Sequence, residues 1–318
     1  MYIQASGCAN VLQLRRTVQI YKKLRYNYRL LSRRQKIFSL GILTKCKKLK
    51  QLSLNLLNQG GDSSLKEIVA TETLEELIIL RQDKLTGSFL TNLRTNLKTL
   101  IFVNCYSLLI ENILSVADRL TALTRLELNY NSINTLQNVH LLLDKTPNLE
   151  RLSLEYYKNN LRSPWIKLGN ELPTAIGRLS RLRELCLQNN DFVTDEWLTT
   201  VARGCPALRS VDLGRTWVHE RGLLALCRER PELVELVVST PFVKDEDLEA
   251  CARHCAGLEL LDVSYSHRLP KTLPARLAWP RARPLRLRMY DVLKEKTEVH
   301  YEGITLLWDK PRRCSWPD

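Results

Sequence analysis

The chain has 318 residues, of which 44% are apolar, and it carries a formal net charge of +14. This composition predicts a soluble folded protein with a large core. No apolar run approaches the ~18 residues of a membrane span, and the start lacks the apolar stretch and cleavage site of a secretory signal. The nine cysteines are an odd number. Most of them lie at repeat positions where a small buried thiol fits, which favours reduced thiols in an intracellular protein of the cytoplasm or nucleus.

The first 48 residues are a basic segment. Residues 1–50 hold 13 Lys and Arg and no Asp or Glu, whereas residues 51–263 hold 23 basic and 28 acidic residues. Three roles stay open for the segment: a solvated cap or degenerate repeat, an anion-binding patch for nucleic acid, lipid or an acidic partner, and a mitochondrial presequence. The candidate anion-binding residues are Lys22, Lys23, Arg25, Arg29, Arg33 and Arg34.

Residues 49–263 contain a six-residue motif, Leu-x-x-Leu-x-Leu in its full form, that recurs nine times. The motif begins at Leu49, Leu74, Leu97, Leu123, Leu149, Leu182, Leu208, Leu233 and Leu258. The successive spacings are 25, 23, 26, 26, 33, 26, 25 and 25 residues. A near-constant period of this length is typical of a stacked array of repeating units.

Each unit is expected to pair a short strand with a helix. The alternating leucines of the motif predict a strand with one buried side. In residues 194–206 the apolar spacing predicts an amphipathic helix that Thr194 caps and Gly204 ends. The fold class is therefore an α/β solenoid with parallel strands on its concave side and helices on its convex side. Residues 264–318 are expected to form a C-terminal cap and tail, in which Leu285 and Leu287 mark a degenerate last strand.

The segment from Val193 to Leu213, VTDEWLTTVARGCPALRSVDL, resembles the cysteine-containing subtype of leucine-rich repeat. In that subtype a Cys precedes the strand, a position that is held here by Cys46, Cys205 and Cys255. The subtype is commonest in F-box/leucine-rich-repeat proteins. The resemblance thus implies the substrate-binding part of a ubiquitin-ligase receptor, with a Skp–cullin complex as a partner. No F-box-like segment is visible in the sequence.

The outward positions of the strands are apolar in the early repeats and acidic in the later ones. An acidic face repels phosphate, so we expect a protein partner with a basic or mixed surface on the concave face or the edge loops, rather than nucleic acid. The candidate partner-binding residues of the strands are Glu127, Arg151, Glu155, Glu184 and Asp212.

One repeat is longer than the others, because 33 residues separate Leu149 from Leu182. The surplus contains Tyr156, Tyr157 and Trp165, and extra residues in a solenoid become edge loops that often bind ligands. Tyrosine and tryptophan are typical interface anchors, so these three residues are further partner-binding candidates. Burial of Trp165 as local packing is the competing interpretation.

No catalytic motif is present, so the sequence predicts a protein that is not an enzyme and has no cofactor. Cys251, His254 and Cys255 share one helix face, but zinc requires four ligands and Cys255 already has a place in the repeat, so no metal site is predicted. The preferred function is protein recognition. The alternatives are a mitochondrial leucine-rich-repeat assembly factor and a basic, nucleic-acid-associated scaffold.

The insertion generates a first testable prediction. Replacing two of its three aromatic candidates, Tyr157→Ala with Trp165→Ala, should weaken partner binding by at least ~2 kcal/mol, because such side chains anchor interfaces. The melting temperature should fall little, because the repeats do not need the insertion for their own geometry. If Trp165 instead packs locally, the same double mutant loses stability and shows no specific loss of binding. Measuring affinity and melting temperature together separates the two.

Overall fold

The computed structural model describes residues 2–6, 48–55, 61–94, 96–132, 138–156, 170–277, 284–290 and 301–307. The chain divides into two compact units, Met1–Leu149 and Glu150–Asp318. Each unit is a stack of strand-and-helix repeats, and each is described by itself.

The first unit contains strands β1 to β5. They are Tyr2–Ser6, Gln51–Asn55, Glu76–Leu80, Thr99–Val103 and Arg125–Asn129. Strand β1 runs antiparallel to β2, and β2 to β5 pair in parallel in the order of the sequence. Short helical segments follow the strands: 3-10 turns at Asp62–Ser64, Ser88–Asn92 and Ala117–Arg119, and helices α1 Lys66–Val69, α2 Ile110–Leu114 and α3 Val139–Leu143.

The second unit contains strands β6 to β12, each parallel to the next. They are Arg151–Ser153, Glu184–Cys186, Ser210–Asp212, Glu235–Val237, Leu260–Asp262, Leu285–Arg288 and Ile304–Leu307. The helices of this unit are α4 Glu171–Gly177, α5 Asp195–Gly204, α6 Glu220–Glu229, α7 Asp245–His254 and α8 Leu273–Leu277. Among the described residues, no helix is both long enough and apolar enough to cross a bilayer.

The motif leucines form the core of each unit. Leu126 and Leu128 are 0% and 1% exposed in the first unit, and Leu152 and Leu154 are 2% and 0% exposed in the second. Parallel strands at each period, with buried motif leucines and helical segments between them, confirm the α/β leucine-rich-repeat solenoid fold. Strand β11 confirms the degenerate strand expected at Leu285, but β12 pairs beyond it, so it is not the last strand as predicted. Strands β1 and β12 were not predicted, because neither carries the leucine motif.

The helix predicted in residues 194–206 is confirmed. It spans Asp195–Gly204, and the Thr194 hydroxyl accepts a hydrogen bond from the Trp197 N–H at 3.5 Å. Asp195 also binds the next repeat. Its Oδ1 accepts a hydrogen bond from the backbone N–H of His219, the residue before α6, at 2.7 Å. The Asp62 carboxylate does the same in the first unit, where it accepts the N–H groups of Thr86, Gly87 and Phe89. Acidic residues thus satisfy otherwise unpaired N–H groups at the helix start of the following repeat.

The chain leaves the strand through a tight turn at a fixed position in the repeat. Six residues, each seven positions after the first motif leucine, adopt a positive φ of 55–64°: Arg81, Asn104, Tyr130, Asn189, Arg215 and Tyr265. This left-handed conformation is uncommon for residues other than glycine. Its recurrence at one position shows that the stacking of the repeats, rather than the identity of the residue, selects the turn.

A buried polar or thiol side chain usually follows that turn. The Asn190 amide donates to the carbonyls of Leu154 and Leu187 at 2.8 and 2.9 Å. In the first unit the Asn131 amide donates to the Phe102 carbonyl at 3.0 Å. The position is also held by Gln82, Cys105, Thr216 and Ser266, all buried. A buried carbonyl without a partner is costly, so these side chains let the strand end inside the core.

Two glycines allow consecutive helices to pack closely. Gly204 lies between α5 and α4, and Gly222 lies between α6 and α5. A Cβ added to Gly204, the last residue of α5, would collide with the backbone of Gly177 and lie 2.6 Å from its carbonyl carbon. A Cβ added to Gly222 in α6 would lie 2.5 Å from the Asp195 Oδ1. Both contacts are to rigid or hydrogen-bonded groups, so a larger side chain would push neighbouring repeats apart.

This packing generates a stability prediction. Gly204→Ala should lower the free energy of unfolding by about 2–3 kcal/mol, because the new methyl group meets backbone that cannot move aside. Gly257→Ala is the matched control in the same unit, since nothing lies within 4 Å of the Cβ that it would add. Urea unfolding of the two variants measures the difference. Equal midpoints for the two variants would show that α4 and α5 are less closely packed than described.

Candidate functional site

The second unit has a cavity on the loops that follow β8, β9 and β10. Its volume is about 570 Å³. The lining residues come from three consecutive repeats and are Arg215, Thr216, Trp217, Ser239, Thr240, Pro241, Phe242, Tyr265, His267 and Arg268. We call this site the aromatic–cationic pocket.

Aromatic rings form one wall of the pocket. Trp217 is 40% exposed, and its ring centroid lies 5.6 Å from that of Phe242 in the next repeat. The His219 imidazole stacks on the Phe242 ring with centroids 4.3 Å apart. Phe242 thus lies in contact with two rings and is held in place, whereas Trp217 presents apolar surface to solvent.

Positive charge forms the other wall. The Arg215 guanidinium lies 5.8 Å from the centroid of the Tyr265 ring, a cation–π arrangement. Tyr265 in turn meets Tyr290 edge to face at a centroid distance of 5.6 Å. Arg268 is exposed at the same rim. The lining therefore contains two arginines and one histidine and no carboxylate.

Hydrogen bonds to the core hold the pocket loops. The Thr240 side chain, 2% exposed, accepts the Phe242 N–H at 3.3 Å and donates to the Val218 carbonyl at 3.5 Å. The Trp217 N–H donates to the Val193 carbonyl at 3.1 Å. Because both aromatic residues are fixed through their backbone, the wall is preformed, and preformed surfaces lose less entropy on binding.

The polar residues predicted as partner contacts on the strands are mostly engaged inside their own unit. Glu127 is 4% exposed and accepts two hydrogen bonds from Arg125, at 2.6 and 2.8 Å. Glu155 is 1% exposed and accepts the Asn189 amide at 2.9 Å. Asp212 is 7% exposed and accepts the Gly214 N–H at 2.8 Å. Each carboxylate thus has a structural partner, and its role in binding stays a prediction.

Two of the candidates form an exposed pair. Arg151 on β6 and Glu184 on β7 make an ion pair at 2.8 Å with side chains 52% and 46% exposed. Tyr156 is half-buried, and its N–H donates to the Gln188 carbonyl. Tyr157 and Trp165 lie outside the described residues, as do Lys22, Lys23, Arg25, Arg29, Arg33 and Arg34.

The apolar outward positions of the first unit are buried. Ile78 and Ile101 lie opposite each other on β3 and β4 and are 6% and 0% exposed. They form a small cluster with Val103 and Tyr130, against which Leu80 packs. These side chains therefore do not offer the open apolar face that their outward position in the strand would suggest.

The candidate metal ligands point to different environments. Cys251 and Cys255 are buried, and their thiols contact the carbonyls of Leu223 at 3.8 Å and of Arg230 at 3.5 Å, whereas His254 is exposed. Within the described ranges, no group of three metal-binding side chains comes together. The described cysteines, Cys105, Cys186, Cys205, Cys227, Cys251 and Cys255, are free thiols.

The sequence analysis did not identify the aromatic–cationic pocket, although a signal was present. Trp217, Phe242 and His267 each lie nine positions after the first motif leucine of their repeat. Residues at one offset of successive repeats stack in a row, so the offset alone would have placed them together.

Comparison with known proteins gives two structural similarities. One is to a chain in the crystal structure of the Rad7 and Elc1 complex in yeast, with 14% identity, a TM-score of 0.49, and coverage of 89% of this chain and 84% of that chain. The other is to the TLR13–ssRNA13 complex, with 18% identity, a TM-score of 0.46, and coverage of 79% of this chain and 40% of that chain. No family model and no curated protein matches the sequence. At these identities and scores, the similarities assign no function.

The buried thiols generate a prediction about reactivity. Burial raises the pKa of Cys105 and of Cys205 to about 12. Hydrogen bonds with Cys251 and Cys255, together with burial, also raise the pKa of Cys227. At pH 8 the thiolate fraction of Cys105 and Cys205 should be about a thousand-fold below that of an ordinary cysteine. A Cys8→Ser, Cys46→Ser, Cys314→Ser variant removes the thiols outside the described residues.

In that variant, alkylation at pH 8 followed by mass spectrometry should label Cys105 and Cys205 rapidly only after unfolding. The unfolded thiols ionise near pH ~8.5, below the folded pKa, so these groups should also lower stability as pH rises above that value. Rapid labelling of either cysteine in the native protein would contradict the described burial.

Proposed function

We propose that this chain is a protein-recognition module and that the aromatic–cationic pocket is its principal contact site. The observation that carries the proposal is the exposed Trp217 ring against Phe242 on consecutive repeats, with Arg215 and Arg268 beside them. Tryptophan and arginine are enriched among the residues that dominate binding energy. The large Trp217 ring is 40% exposed on this wall.

Binding rather than catalysis fits the chemistry of the pocket. The Thr216 hydroxyl donates to the Leu213 carbonyl at 2.8 Å, and the Thr240 hydroxyl is buried in the loop hydrogen bonds described above. Neither hydroxyl is paired with a base, as a nucleophile would be. Aromatic, guanidinium and hydroxyl groups at a solvent-open cavity are suited to recognition of a side chain or a peptide.

The finer proposal is that the module is the substrate-binding part of an F-box/leucine-rich-repeat type ubiquitin-ligase receptor. Its support is the sequence resemblance to the cysteine-containing repeat. Cys205 and Cys255 are buried before β8 and β10, where that subtype has its cysteine, and the Cys205 thiol contacts the Ile176 carbonyl at 3.2 Å. Affinity purification from cells tests this proposal, and the absence of Skp and cullin subunits from the purified complexes would contradict it.

The recognition proposal is tested by removing both rings. Trp217→Ala with Phe242→Ala should weaken capture of the partners purified with the parent chain by at least about ten-fold, the equivalent of ~1.4 kcal/mol. The matched control is Tyr106→Ala with Leu109→Ala, which removes two side chains of the first unit that are 51% and 45% exposed.

The control should retain full capture, because apolar residues scattered singly on a surface are common and need no function. Melting temperatures of both variants verify that the repeats remain folded. A folded Trp217/Phe242 variant with unchanged capture of every partner would contradict the assignment of the site.

A further inference from the structure

We propose that the aromatic–cationic pocket binds an acidic peptide segment in which a glutamate or aspartate lies next to an apolar side chain. The inference rests on the proposed function and specifies the chemistry of the partner. The carboxylates would pair with Arg215 and Arg268, while the apolar side chain packs on Trp217.

The charge of the pocket supports an anionic ligand. Its lining holds Arg215, His267 and Arg268 without a carboxylate, and no carboxylate of the described chain forms an ion pair with either arginine. The aspartates at the ends of β8 and β10, which lead into these loops, are engaged elsewhere. Asp262 pairs with Arg288 at 3.0 Å, and Asp212 accepts the Gly214 N–H. The arginine charges are thus available for carboxylates from outside, and the guanidinium fork matches a carboxylate in geometry.

The rings define where the apolar part of the ligand would lie. Phe242 is already covered by Trp217 on one side and by the stacked His219 on another. Trp217 retains the exposed surface and adjoins the cavity that Arg215 also lines. A cavity of about 570 Å³ accommodates a few side chains rather than a folded domain. This size favours a short linear segment.

Nucleic acid would also place negative charge near aromatic rings, but the surroundings disfavour it. Protein–nucleic-acid interfaces commonly neutralise about 6–10 phosphates, and the pocket offers two arginines. Strand β9 carries Glu235, which is partly exposed and would repel a phosphate backbone that extended beyond the pocket. A short acidic peptide avoids this repulsion because its charge is confined to the pocket.

Fluorescence anisotropy with three labelled probe peptides tests the inference on the full chain. The first probe has a central leucine flanked by glutamates, the second replaces the glutamates with lysines, and the third replaces the leucine with glycine. The acidic leucine probe should bind most tightly. Arg215→Gln with Arg268→Gln should weaken its binding at least about five-fold, because two charge-assisted contacts are lost. Arg181→Gln with Arg183→Gln, which removes the same charge before β7, should leave binding unchanged.

Trp217→Ala should weaken binding of the leucine probe but have little effect on the weaker binding of the glycine probe. Equal binding of the acidic and lysine probes, with both dependent on Trp217, would overturn the acidic specificity and leave the recognition proposal intact. Failure of the parent chain to bind the acidic probe would overturn the inference, while the partner-capture experiment independently decides the proposed function. Tighter binding of single-stranded RNA than of the acidic probe, lost on the same arginine substitutions, would assign the pocket to nucleic acid instead.

Discussion

The structure depends on one requirement: a buried strand must end without leaving backbone carbonyls unpaired in the core. The side chain after the turn meets this requirement, through the Asn190 amide in one unit and the Asn131 amide in the other. Each of these amides bonds to a carbonyl of the preceding repeat, so it closes one strand and ties two repeats together. An unsatisfied buried carbonyl would cost about as much as a lost hydrogen bond. The position holds Asn, Cys, Thr, Ser or Gln in six described repeats. In the repeat that begins at Leu233 it holds Pro241, and the Thr240 hydroxyl one residue earlier donates to the Val218 carbonyl instead.

The turn that precedes this side chain determines the position of the pocket. Arg215 and Tyr265 adopt positive φ values of 58° and 64° at the same offset in their repeats, and their side chains meet across the intervening repeat. Two residues further along from Arg215, the Trp217 ring makes a tilted contact with the Phe242 ring of the adjacent repeat. Parallel strands in register carry equivalent residues from one repeat to the next. A surface that no single repeat possesses is thus assembled from three loops, and its chemistry changes with the loop residues while the core stays constant.

The strand face and the loop edge differ in what remains available for binding. On the strands, Glu127, Glu155 and Asp212 are almost fully buried and accept hydrogen bonds from their own unit. Carboxylates held in this way stiffen the strand ends and would have to be released before they contact another protein. On the loops, Trp217 and Arg268 remain exposed. This contrast is the reason why the proposed function centres on the edge that follows β8 to β10.

The sequence by itself determined the repeat, because a strand buries alternate leucines and a stacked unit must repeat its leucines at a constant period. It also determined the helix at Asp195–Gly204, whose cap, acidic start and terminal glycine are local signals, and the strand at Leu285. Only the tertiary structure decided which polar residues form internal hydrogen bonds, because these bonds join residues that are far apart in the sequence. The hydrogen bond from Asn189 to Glu155, for example, joins residues 34 positions apart. It likewise decided the contact of Gly204 with Gly177 and the exposure of the Trp217 ring beside Phe242. Local patterns specify elements, whereas burial and distance between repeats depend on how those elements stack.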